Sequence, residues 1–125
     1  MLLNWLDVRL AKLGLGAAVI GITVLALMPA KEVPATTGWD KTDHWLAFFT
    51  LALFAARAFP QASFWQRIVP ALIAYGIGIE IAQWFTPDRD ADWHDVVADS
   101  IGVFAYGLLD YLVLRVRRAR VSEPG

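Results

Sequence analysis

The sequence predicts an all-α integral membrane protein, a bundle of four transmembrane helices with both termini cytoplasmic. Three observations predict it. Only 18% of the 125 residues are charged and 58% are hydrophobic, whereas soluble domains carry about a quarter charged residues. The mean hydropathy is +0.49, and the apolar residues gather in four long runs. All six Trp lie at or near the ends of those runs. Indole has an apolar body and one N–H, so it settles at the boundary between hydrocarbon and water.

The four elements follow in order within a single domain, 1–125. A bilayer core of ~30 Å needs about 20 helical residues. The first run, LGLGAAVIGITVLALM, reaches that length if Val8 to Lys12 join it, with Arg9 and Lys12 snorkelling to the interface. Its span is roughly 8–28. The second, WLAFFTLALFAARAF, extends to roughly 41–59 if its polar first turn lies at headgroup level. The third, IVPALIAYGIGIEIAQWF, gives roughly 67–85, and the fourth, VVADSIGVFAYGLLDYLVL, roughly 95–114. The tail after Leu114 is short and basic, and is expected to fray.

Lys and Arg placement sets the orientation. Arg9 and Lys12 precede the first span, Arg57 and Arg67 lie between the second and third, and Arg115, Arg117, Arg118 and Arg120 follow the fourth. The other two connections hold Lys31, Lys41 and Arg89, diluted by acids. Basic and acidic segments alternate, as four spans require. Both termini are therefore expected to be cytoplasmic and both acidic loops external. A cleaved signal peptide is the rival for the first run, but Met28 and Pro29 fit a cleavage site poorly, so the first helix is expected to be retained.

Composition also excludes. With no Cys, disulfides, thiol catalysis and zinc–thiolate sites are ruled out. A net charge of −1 without a basic stripe leaves no nucleic-acid partner. No signal for an oligomeric state is present.

The polar residues of the runs converge on the external face if this topology holds. The second span opens WDKTDHW, with Asp40 and His44 four apart on one helical face beside Lys41. Helix capping explains Asp40 by itself, but not His44 with Lys41. The third carries Glu80 and Gln83, three apart. An ionisable group in a span costs at least ~2.5 kcal/mol near the bilayer centre, so Glu80 points to function or to an internal salt bridge with Lys41 or Arg89. Gly76 and Gly78 thin the wall of this helix, and Gly78 with Ala82 forms a small-residue pair for close helix approach. In DRDADWHDVVADS, Asp92, Asp95 and Asp99 form a helical stripe that Gly102 and Tyr106 continue inward. Asp92 can be a helix cap, whereas Asp99 lies about a turn into the span. Asp88 and Asp90 read as solvated loop acids and His94 as incidental.

Taken together, these residues resemble the VanZ-like family of small bacterial membrane proteins. The likeness rests on D-K-x-x-H in Asp40, Lys41 and His44, E-x-x-Q in Glu80 and Gln83, then Arg89, and D-x-x-A-(N)-x-x-G in Asp95, Ala98, Asp99 and Gly102. It covers roughly residues 10–112. Asp99 departs from the family pattern, which has Asn there. The resemblance implies a cytoplasmic-membrane protein of the bacterial envelope. The family's namesake is associated with low-level resistance to teicoplanin, a glycopeptide carrying a fatty acyl chain, and the resemblance implies a link of that kind.

Three functions are compatible with these residues. The leading one is a head-group site made of Asp40, Lys41, His44, Glu80, Gln83, Arg89, Asp92, Asp95 and Asp99. Its cations would grip phosphate or carboxylate and its acceptors would read amine, hydroxyl or amide groups. The partner is then a membrane lipid, a lipid-linked envelope precursor or a lipoglycopeptide. The second is a hydrolase or transferase acting on a lipid phosphate or wall precursor, with His44, Glu80 and Asp95 as acid–base groups. No cofactor or metal is expected; a divalent cation, if one binds, would use His44, Glu80, Asp95 and Asp99. The third is a structural or assembly protein whose buried charges lock the helices together.

Overall fold

A computed structural model describes residues 7–28, 40–87 and 91–122; at residues 40–42 it describes the backbone only. The described residues form four α-helices and no strand. Helix α1 spans Val8–Leu27, α2 Asp40–Ala58, α3 Val69–Trp84 and α4 Trp93–Ser122, and a π-helical turn, Phe64–Ile68, runs directly into α3.

Local chemistry sets the ends. Asp7 caps α1, its carboxylate accepting the Arg9 N–H at 2.7 Å. The helix stops before Pro29, and Met28 is extended, because a proline crowds the helical conformation of the residue before it. The π-turn also has a local cause. Pro70 lacks the N–H that would bond the Gln66 carbonyl, and its ring crowds that carbonyl, so the preceding turn widens. Ser63 caps this turn through the Gln66 N–H at 3.3 Å. The helix therefore starts at Phe64, ahead of the expected 67.

Helices α2 and α4 make the most extensive contact, α1 lies against α2, and α3 packs on α4. Their buried stripes follow helical spacing. On α2, Phe48, Leu51, Ala52 and Ala55 face the core. On α4, Asp95, Ala98, Asp99, Gly102, Val103 and Tyr106 do so. A Cβ on Gly102 would collide with the Trp45 carbonyl, so this glycine is what lets the two backbones meet. Ala98, one turn earlier on the same stripe, is buried as well. The Gly78–Ala82 pair needs correcting. A Cβ on Gly78 would meet nothing within 4 Å, because Gly78 sits on the exposed side of α3. Gly76 is the close approach, its Cβ position lying 2.8 Å from Asp99 Oδ2.

The outside is apolar. Leu13, Ile20, Ile81, Trp84, Trp93 and Ile101 are among many large hydrophobic side chains that stay exposed, far more than a water-soluble surface carries in contiguous patches. Helices α1 and α4 are long and apolar enough to cross a membrane. Helix α4 has 30 residues, about 45 Å. It exceeds the expected 95–114 span and carries its four arginines outward as ordered helix rather than as a frayed tail.

Candidate functional site

The same stripe that buries apolar groups along most of α2 and α4 buries charge at one end. Glu80, Gln83, Asp95 and Asp99 are 2%, 2%, 4% and 2% exposed. An unpaired buried carboxylate is strongly disfavoured, so each needs partners.

His44 supplies them for α4. It sits one turn before Phe48 on the core-facing stripe of α2, opposite the start of α4. Its Nδ1 lies 2.9 Å from Asp99 Oδ1, and its Nε2 lies 3.6 Å from Asp95 Oδ2. Asp95 and Asp99 are four apart, one above the other, so a single imidazole spans both. A neutral ring donates from one nitrogen only; the imidazolium can donate toward both carboxylates. Gly76 leaves the space on α3 that Asp99 occupies.

Glu80 ties α3 to α4. Its Oε2 accepts the backbone N–H of Asp92 at 2.7 Å. Asp92 is the residue before α4, and its own Oδ1 accepts the His94 N–H at 2.9 Å. In a capping box the third residue of the helix returns to the capping residue's N–H. Here that third residue, Asp95, is turned inward to His44, and Glu80 makes the reciprocal bond from another helix. Glu80 also lies within electrostatic range of Asp95, His44 and Asp99. Gln83 ties α3 to α1, its Nε2 donating to the Ala26 carbonyl at 2.9 Å in the last turn of α1. Two acceptors stay unmatched: Glu80 Oε1 and Gln83 Oε1 are buried and have no hydrogen-bond partner among the described residues.

A pocket of about 20 Å3 opens beside them, lined by Glu80, Ile81, Trp84, Ala91, Asp92 and Trp93. It has room for about one water-sized group. The exposed Trp84 and Trp93 stand at its rim.

The structure thus gathers His44, Asp95 and Asp99 directly, with Glu80 and Gln83 beside them. Asp92 stands at the edge as a cap, paired with an exposed His94 at 2.8 Å. Arg89, with Asp88 and Asp90, and the side chains of Asp40 and Lys41 lie outside the described residues. Among the described residues, no group of three or more His, Asp or Glu side chains could hold a metal ion. Sequence reasoning missed one polar link. Thr23 Oγ1 lies 2.6 Å from the Tyr75 hydroxyl. That hydroxyl donates to the Val19 carbonyl at 3.1 Å, so Thr23 is the donor in the first pair. The signal was a hydroxyl inside each of the first and third apolar runs.

An all-helical chain with an apolar exterior and charge buried at one end defines a small protein of membrane type. A family model described as VanZ/LLP1 matches residues 13–115, and the chain belongs to that family. The match spans nearly the same stretch as the resemblance read from the motifs. Membership fits a teicoplanin-resistance-like protein, and with the two spanning-length helices it points to the membrane. No curated protein and no solved structure matches the chain.

Proposed function

We propose that the chain is a multi-pass protein of the bacterial cytoplasmic membrane, with four spans and both termini cytoplasmic. Its acidic end forms an external site for the head group of a lipid-linked envelope component or a lipoglycopeptide. One observation carries the reading: buried acceptors at Glu80 and Gln83 lack donors among the described residues, beside a His44–Asp95–Asp99 cluster at the same end of an apolar bundle. A buried acceptor without a donor costs ~1–3 kcal/mol. Amine, amide or hydroxyl groups of a head group would supply the donors. Lys41 and Arg89 would meet its phosphate or carboxylate, and the apolar flanks of α3 and α4 would take its chain.

The structural reading has its own support, since Glu80 and Gln83 both bond backbone at the ends of neighbouring helices. The acid–base reading has less. His44 Nε2 is directed at Asp95 rather than at open space, whereas a general base must reach its substrate's proton.

The test is binding of an acylated glycopeptide and of a lipid-linked wall precursor to the chain in nanodiscs. Glu80→Gln keeps a neutral acceptor for the Asp92 N–H and removes the charge. The head-group reading expects this variant to fold and to lose binding about tenfold or more. Unchanged binding sinks the site. Loss of fold favours the structural reading, and turnover of the precursor by the wild type favours an enzyme.

A further inference from the structure

The opposite end of the bundle holds a larger opening that the external site does not use. A groove of about 350 Å3 lies between the start of α1 and the end of α2, lined among others by Val8, Lys12, Phe59, Pro60, Gln61 and Arg67. It is about 20 Å of helix away from His44 along α2. Its walls are mostly apolar, with exposed Phe59 among them. Two exposed cations come from different elements, Lys12 from α1 and Arg67 from the π-turn. Lys12 Nζ stands 5.6 Å from the centre of the Phe59 ring, which holds the ammonium at the groove mouth. No carboxylate lines the groove among the described residues. The wide turn imposed by Pro70 sets Arg67 at this position, and such turns recur at functional sites.

We propose that this groove binds an anionic phospholipid of the inner leaflet, its phosphate between Lys12 and Arg67 and its acyl chain along the apolar flank of α1. Charge complementarity selects a phosphate. The mostly apolar walls select the lipid over a free anion. The inference rests on the membrane reading but is independent of the external site.

The test is native mass spectrometry of the full chain released from nanodiscs of phosphatidylcholine doped with phosphatidylglycerol. The expected result is preferential retention of phosphatidylglycerol by the wild type. Each basic side chain near an anionic surface contributes about a fivefold factor, so Lys12→Gln with Arg67→Gln should weaken that retention about thirtyfold. Arg120→Gln, a single cation outside the groove, should cost no more than the about fivefold of a general surface charge. Equal retention by the folded double variant overturns the proposal, as does an equal loss in Arg120→Gln or displacement of the lipid by inorganic phosphate. A chain that stays soluble without lipid or detergent overturns the membrane reading itself, which separates the two failures.

Discussion

Two ends of one helix pair are built on the same buried stripe and carry opposite chemistry. At the α2 start, the stripe places His44 against Asp95 and Asp99. Further along, Tyr106 of that stripe meets Phe49 of α2 and Phe64 of the π-turn, with ring centroids 5.6 Å apart in both pairs. Gly102 lies between, where the backbones of α2 and α4 touch. The aromatic end is the ordinary solution, burying area and little polarity. The acidic end buries charge that a few apolar residues could replace with equal or better stability. Position on the stripe explains why Tyr106 at one end and Asp95 and Asp99 at the other are buried. On the proposed head-group reading, ligand binding is the demand that keeps the acidic set charged.

The comparison can be broken from either side. The largest expected effect is at His44. His44→Ala strips a shared partner from two buried carboxylates and should destabilise the protein by about 3 kcal/mol, read as a lower Tm in detergent. A change below about 0.5 kcal/mol would mean the cluster is solvated and not structural. Next comes the contact between the two ends. Gly102→Ala drives a Cβ into the Trp45 carbonyl and should destabilise by about 2 kcal/mol, although Ala is the better helix former. Gly78→Ala has open space around it and should raise the Tm slightly, by up to about 1 kcal/mol of stability. Gln83→Leu removes the bond to the Ala26 carbonyl and should cost about 1 kcal/mol, with faster hydrogen exchange at the end of α1 as its local signature.

The smallest effects sharpen the contrast. Asp99→Asn keeps an acceptor for the His44 Nδ1–H, so its change in stability should stay within about 1 kcal/mol. Tyr106→Phe removes a hydroxyl that is buried without a partner among the described residues, so it should change the Tm by less than the equivalent of about 0.5 kcal/mol. A marked loss would place a bound water at the aromatic end and weaken the distinction between the ends.

Much of this was legible in the sequence because helices concentrate their signals. The apolar runs gave the four helices, and the spacing of Asp95 and Asp99 put them on one face with Gly102 and Tyr106. The pairing of His44 with Asp99 was not legible, since a contact between residues 55 apart depends on how two helices are rotated. Glu80 was singled out for its burial, but its role as a cap for α4 depends on where that helix starts in space. The two glycines of α3 looked alike in sequence; only the packing of α3 on α4 decides that Gly76 faces Asp99 and Gly78 faces outward. The π-turn escaped notice because Pro70 was read as part of an apolar run rather than as a missing donor.

In the proposed topology the acidic end faces outward and the basic end faces the cytoplasm. The chain has no cysteine, so single-cysteine labelling reads this without background. Ala91→Cys lies beside Glu80 and Trp93, whereas Gln61→Cys and Ser122→Cys lie at the basic end, and all three positions are exposed. With a membrane-impermeant maleimide, Ala91→Cys should label in intact spheroplasts, and Gln61→Cys and Ser122→Cys only after lysis. Labelling of Gln61→Cys in intact spheroplasts, or protection of Ala91→Cys until lysis, would contradict that topology.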